Sequence, residues 1–133
     1  MENTQGHLTD SQNRRETRSL IASDKVEGTA VRRPDGDKLG SIERIMIDKR
    51  SGRVAYAVMS FGGFMGIGHD HYALPWSLLR YNESIDGYEL DVTEDQLKGA
   101  PAHSRGDDFD WDDRTRDEEI YRYYGASPYW GAI

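Results

Sequence analysis

The densest chemistry in this 133-residue chain lies in residues 60–76, SFGGFMGIGHDHYALPW. Gly62, Gly63, Gly66 and Gly68 fall within seven positions, interleaved with Phe64, Met65 and Ile67, and His69 and His71 come next. A phosphate cradle needs glycines whose backbone N–H groups feed a helix N-terminus. Here the order is G-x-x-G-x-G from Gly63, there is no Gly-Lys-Ser/Thr, and the next segment reads as a strand, so the cradle is set aside. The glycines instead permit tight turns with positive φ at the corner of a sheet. Phe64, Met65 and Ile67 then have two destinations: folding back to plug the end of the core, or forming an apolar patch for a second chain. Methionine suits adaptable contacts of the second kind.

His69 and His71 alternate as residues on one face of a strand do. Two imidazoles begin a zinc or nickel site, but such a site needs a third or fourth ligand. His7 and His103 lie in flanking segments and cannot be placed. The plainer expectation is a solvated histidine pair beside the loop. A second metal candidate is Asp108, Asp110 and Asp112 with Glu119, whose spacing imitates positions 1, 3, 5 and 12 of a calcium loop. The glycine such a loop requires is Asp113, and Arg114 and Arg116 oppose a cation. The alternative is an acidic linker into a capped helix. No cofactor is assigned.

Trp111, Tyr121, Tyr123, Tyr124, Tyr129 and Trp130 crowd the last 23 residues. A solvated tail is rarely so aromatic. These residues are expected to pack on their own sheet or on a neighbouring subunit, with partner binding the alternative. No serine sits in a nucleophile elbow, and no pair of carboxylates has a recognisable spacing, so no catalytic residue is assigned.

The net charge of −7 argues against broad nucleic-acid binding. The absence of cysteine excludes disulfides, thiolate zinc sites and cysteine nucleophiles, and fits a reducing compartment. No apolar run approaches the roughly 20 residues of a membrane helix, and residues 1–19 lack an apolar signal core. The expectation is a cytoplasmic protein without membrane insertion. Residues 99–133 hold eight acidic and four basic side chains, a distinct acidic segment.

The elements that must position these residues are mostly strands. Residues 1–18 are polar and aperiodic and read as disordered. VEGTAV (26–31) alternates, RRPDGDKLG (32–40) is a turn, and SIERIMID (41–48) is a strand with Ile42 out of phase with Ile45 and Ile47, which implies a bulge. VAYAVMSF (54–61) is apolar on both faces, hence central or covered. HYALPW (71–76) is a strand that Pro75 marks as an edge or an end. YELDV (88–92) puts Tyr88, Leu90 and Val92 on one face. Residues 93–96, TEDQ, form a capping-box pattern, and residues 115–118, TRDE, suggest a second, opening a helix through Tyr124 with Gly125 as its stop. The expected fold is all-β, a small six-stranded barrel whose closure removes exposed edges, with short C-terminal helices.

Taken in order, V-x-x-P-D-G-x-x-L-G-S-I (31–42), D-x-x-S-G-R-V-A-Y-A-V (48–58), G-G-F-M-G-I-G (62–68), A-L-P-W (73–76) and D-V-T-E-D-Q-L-K-G-A-P (91–101) resemble the PRC-barrel family over residues 19–103. That family includes the cytoplasmic domain of the photosynthetic reaction-centre H subunit and the C-terminal domain of the ribosome maturation factor RimM. The pattern is most similar to stand-alone bacterial members. The resemblance implies a small PRC-type β-barrel that docks other macromolecules, often self-associates, and has no catalytic residues. Residues 104–133 lie outside the pattern as an acidic, aromatic-rich extension with one short helix. The implied function is a non-enzymatic interaction or assembly module, a homodimer or larger, binding an unidentified protein partner. Its contacts would be Phe64, Met65, Ile67, Trp111, Tyr121, Tyr124, Tyr129 and Trp130, with Gly62, Gly63, Gly66 and Gly68 shaping the loop. The alternatives are a metal-responsive protein using His69 and His71 or the run from Asp108, and an accessory of photosynthetic electron transfer by analogy with the H subunit.

Overall fold

The computed structural model describes residues 16–61, 71–102 and 111–128. A one-turn helix α1 (Ser23–Val26) leads into β1 (Ala30–Arg32), β2 (Lys38–Ile47) and β3 (Val54–Phe61). After residues 62–70 come β4 (His71–Pro75), a 3-10 turn (Trp76–Leu78), β5 (Leu79–Asn82), a second 3-10 turn (Glu83–Ile85) and β6 (Gly87–Leu90). Helices α2 (Glu94–Lys98) and α3 (Arg114–Tyr124) complete the order.

The strands form one six-stranded sheet in the order β4-β3-β2-β1-β6-β5. All pairs are antiparallel except β1 with β6. Laid flat, six strands would separate the edges by roughly 24 Å, five gaps of about 4.8 Å. Yet edge strands β4 and β5 are joined by Trp76–Leu78 alone, a link that spans at most roughly 14 Å. The sheet must therefore curl until its edges approach. It does so without an edge-to-edge ladder among the described residues, so the expected closed barrel is an open, strongly curled half-barrel.

Closure is replaced by cover. The inner face holds Val31, Ile42, Ala57, Met59, Leu74 and Leu90, all nearly solvent-free, and α2 adds Leu97 beneath them. α2 is short, but its start is fixed reciprocally: Gln96 N–H donates to the Thr93 hydroxyl and Thr93 N–H donates to the Gln96 carboxamide. This is the capping box read from residues 93–96.

The expected strand 26–31 is shortened. Val26 ends α1, and the chain turns where Gly28 N–H donates to the Ile42 carbonyl, so β1 begins only at Ala30. The bulge foreseen in 41–48 lies between Ile42 and Arg44 and brings Ile42 to the core. β3 spans the predicted 54–61, and both explanations for its two apolar faces hold. It lies between β2 and β4, and α3 covers its outer face.

Candidate functional site

Two places on this frame bear on function: the end of the β3–β4 hairpin, and the outer face under α3.

At the hairpin end, Ser60 pairs with His71, and Gly40 pairs with Phe61 across β2 and β3. Phe61 packs edge-on against Tyr72, ring centroids 5.8 Å apart. These contacts fix the two points between which residues 62–70 run. Gly62, Gly63, Phe64, Met65, Gly66, Ile67, Gly68 and His69 all lie outside the described residues. The element after them is strand β4, not a helix, so the loop does not lead into the helix N-terminus that a phosphate cradle requires.

His71 departs from the expectation of a solvated pair. It is 4% exposed. Its Nε2 stands 3.0 Å from Glu43 Oε2. An ionised carboxylate can only accept, so Nε2 carries the proton and donates. Glu43 sits at the β2 bulge, two residues after Ser41, whose cross-strand partner Ser60 pairs in turn with His71. The sequence had no signal for this partner. Among the described residues no three acids and histidines group to hold a metal.

The outer face is built from α3. Its N-cap is Asp113, whose Oδ1 accepts from Thr115 N–H and Arg116 N–H. The helix thus begins before Thr115, and the second expected capping box is not the device used. A carboxylate at that position also suits the positive helix end. At the other end Gly125 is left-handed, at φ 67°. Its N–H donates to the Arg122 carbonyl and Ala126 N–H donates to the Tyr121 carbonyl, the paired C-terminal closure that favours glycine.

That helical start also answers the calcium question. Residues 114–119 would be the second half of the calcium loop, but they are already helix. A loop ligating through positions 7 and 9 needs non-helical backbone there. Asp108 and Asp110 lie outside the described residues.

α3 buries Asp117, Ile120 and Tyr121. Ile120 and Tyr121 pack on Ala55, Tyr56 and Ala73, with Trp111 and Tyr124 partly buried beside them. Tyr56 is the hub: its ring lies 5.6 Å from Trp111 and 5.4 Å from Tyr121. Its hydroxyl donates to Asp117 Oδ1 at 2.8 Å, and the Tyr121 hydroxyl donates to the Ala55 carbonyl at 2.8 Å. Tyr121, expected as a partner contact, is thus occupied within its own chain, and Trp111 and Tyr124 are half-covered there. Tyr129 and Trp130 lie outside the described residues.

Burial pushes the Asp117 carboxyl above its ordinary value, against the lowering effects of the Tyr56 hydroxyl and Arg114, with Asp113 and Asp112 adding repulsion. A raised pKa in the fold means that this group's contribution is complete below the unfolded pKa, about 4, and is lost as pH rises through the folded value. Asp117→Asn keeps an acceptor for Tyr56 and removes that loss. The Arg114 contact at 3.7 Å involves a half-exposed guanidinium and adds little. Urea unfolding of the variant is expected to match or exceed the parent at neutral pH, with the advantage vanishing below about pH 4. A variant weaker than the parent only at neutral pH would refute the sign.

Beside this hub a groove of ≈ 310 Å³ opens at the β2–β3 hairpin. Its buried floor is Ala55 and Tyr56. The hairpin supplies Ile47, Lys49 and Arg50; Trp111 and Asp112 supply the other wall. Ile47 is 51% exposed, unusual for a β-branched apolar residue in a strand. Sequence alternation had placed Ile47 with Ile45, but Ile45 packs against the main core while Ile47 lines this groove, where β3 carries an extra residue, Ala55, in the pairing. A larger depression, ≈ 580 Å³, lies between residues 99–102 and α3.

No helix among the described residues is long and apolar enough to cross a membrane. A family model, the PRC-barrel domain, matches residues 19–97. No curated protein matches the chain.

Proposed function

The chain belongs to the PRC-barrel domain family, and from that premise we propose that it is a non-enzymatic protein-interaction and assembly module that docks a protein partner and self-associates in the cytoplasm. The observation that carries the reading is the β3–β4 connection. Ser60 and His71 are direct cross-strand partners, and two residues suffice to turn between antiparallel neighbours. Nine residues, 62–70, are spent there, and they include Phe64, Met65 and Ile67. Such length exceeds what folding needs and suits a contact made with another molecule. Apolar anchors of this kind, with polar groups at the rim setting orientation, are how a small domain binds without chemistry.

The test is capture of partners from native cell extract with the intact chain, with Met65→Asp, and with Phe64, Met65 and Ile67 all replaced by serine. The expected result is a bound protein that is retained by the intact chain and lost from both variants, while their thermal unfolding stays close to the parent's. An identical set of bound proteins across all three would remove the loop from the interaction surface.

A further inference from the structure

Helix α3 is an addition to the half-barrel. The family match ends at residue 97, before the helix begins at Arg114. Its hold on the sheet is small and specific. Ile120 packs with Ala55 and Ala73. Two buried hydrogen bonds orient the helix, from the Tyr56 hydroxyl to Asp117 and from the Tyr121 hydroxyl to the Ala55 carbonyl. A third, from the Tyr123 hydroxyl to the Gln96 carbonyl at 2.6 Å, ties it to α2 at an exposed position. The same contact contains two misfits. The Tyr124 hydroxyl is buried, and among the described residues it meets no hydrogen-bond partner. Water satisfies that hydroxyl when the helix is away, so docking strips a bond and returns none. The Asp117 carboxyl is also taken out of water, beside one phenol and a half-exposed Arg114. Both penalties fall on the docked state alone. A short helix held in this way opens before the sheet does.

We propose that α3 is exchangeable: it leaves its own half-barrel and docks on that of a second copy, which returns its own α3 and closes a two-fold dimer. The exposed face selects the occupant. The outer side of β3 and β4 takes a helix with an isoleucine over Ala55 and Ala73, a carboxyl three residues earlier for the Tyr56 hydroxyl, and a tyrosine next to the isoleucine for the Ala55 carbonyl. A second copy supplies that segment with every contact unchanged, so exchange needs no new complementary surface. Ala102 and Trp111 are nine residues apart. That length of chain spans at most roughly 32 Å, more than the roughly 24 Å width of the flattened sheet. Because the contacts are the same in both forms, protein concentration sets the balance between them. This deepens the self-association proposed above and rests on it, but uses no residue of 62–70.

Two full-length variants test the exchange by complementation. Ile120→Asp spoils the helix and leaves the face sound; Ala73→Glu spoils the face and leaves the helix sound. Each alone should sediment as a monomer with fast amide exchange across α3. In a mixture where only the Ala73→Glu chain is isotope-labelled, the labelled α3 should regain at least about tenfold protection as it docks on the sound face, and a heterodimer should sediment. Should Ala73→Glu fail to fold, Tyr56→Phe takes its place, since it keeps the ring and removes the hydroxyl that serves Asp117. The parent should dimerise as its concentration rises, and parent chains carrying different labels should mix. Tyr124→Phe removes one misfit and should slow that mixing about tenfold. Met65→Asp should mix like the parent, which separates α3 from the docking role of residues 62–70. No regained protection, or mixing at an unchanged rate in Tyr124→Phe, overturns the exchange. If the parent still dimerises in that case, self-association stands and only the part of α3 in it falls. A parent that is monomeric at every concentration removes both.

Discussion

Gly40→Ala is expected to destabilise the fold by about 3 kcal/mol, a large effect for adding one methyl group. Gly40 sits in β2 opposite Phe61. A Cβ there would overlap the Ser60 carbonyl oxygen and lie 3.0 Å from the Ser60 carbonyl carbon. Both atoms are β3 backbone, so no rotamer change relieves the clash. β2 must move away from β3, and the pair it loosens is the one that leads into residues 62–70. Gly99→Ala is the matched comparison. Its Cβ would meet the Tyr123 hydroxyl at 3.1 Å, the far end of a side chain, so a cost of about 1 kcal/mol or less is expected there. Urea unfolding of the two variants side by side decides the point; equal losses would mean that β2 has slack the structure does not show. If Gly40→Ala also loses partner capture while keeping enough stability to be folded, the loop's anchorage matters as well as its sequence.

Ile120→Ala is expected to cost about 3 kcal/mol, and to spend that loss locally. Ile120 is 1% exposed, and α3 reaches the sheet through few buried residues: Asp117, Ile120 and Tyr121. An 11-residue helix has marginal stability by itself in water. Its order therefore depends on that contact. Amide exchange should speed up throughout α3 in the variant while β2 and β3 keep their protection. Trp111 emission should shift toward that of a solvated indole as its packing on Tyr56 loosens. Uniform loss of protection across sheet and helix would instead make α3 part of one cooperative unit with the half-barrel. The result also bears on the groove, since Trp111 forms one of its walls.

Much of the fold was legible because its signals are local. Alternation over 54–61 located β3, the misplaced phase of Ile42 located the bulge, and Thr93 with Gln96 and Gly125 marked a helix start and a helix stop. Each depends on residues a few positions apart, where propensity, side-chain period and capping act directly. The family resemblance drew on the same ordered signals. Less legible were boundaries where two local devices compete. Asp113 outcompetes Thr115 as N-cap because its carboxylate reaches two N–H groups and meets the helix dipole.

Only the tertiary structure decided what faces what. His71 finds Glu43 across 28 positions, and Tyr56 finds Asp117 across 61. Pairing register and helix docking set these distances, and neither leaves a trace in local composition. The same holds for the curled but unclosed sheet, whose shape results from the short link between its two edges. It holds for the aromatic extension too. Composition showed that Trp111, Tyr121 and Tyr124 would pack somewhere, because exposed rings are costly. That they pack on this chain's own sheet, leaving Ile47 and a charged rim outward, was settled by the outer face of β3, which offered apolar surface that only a docked helix could bury.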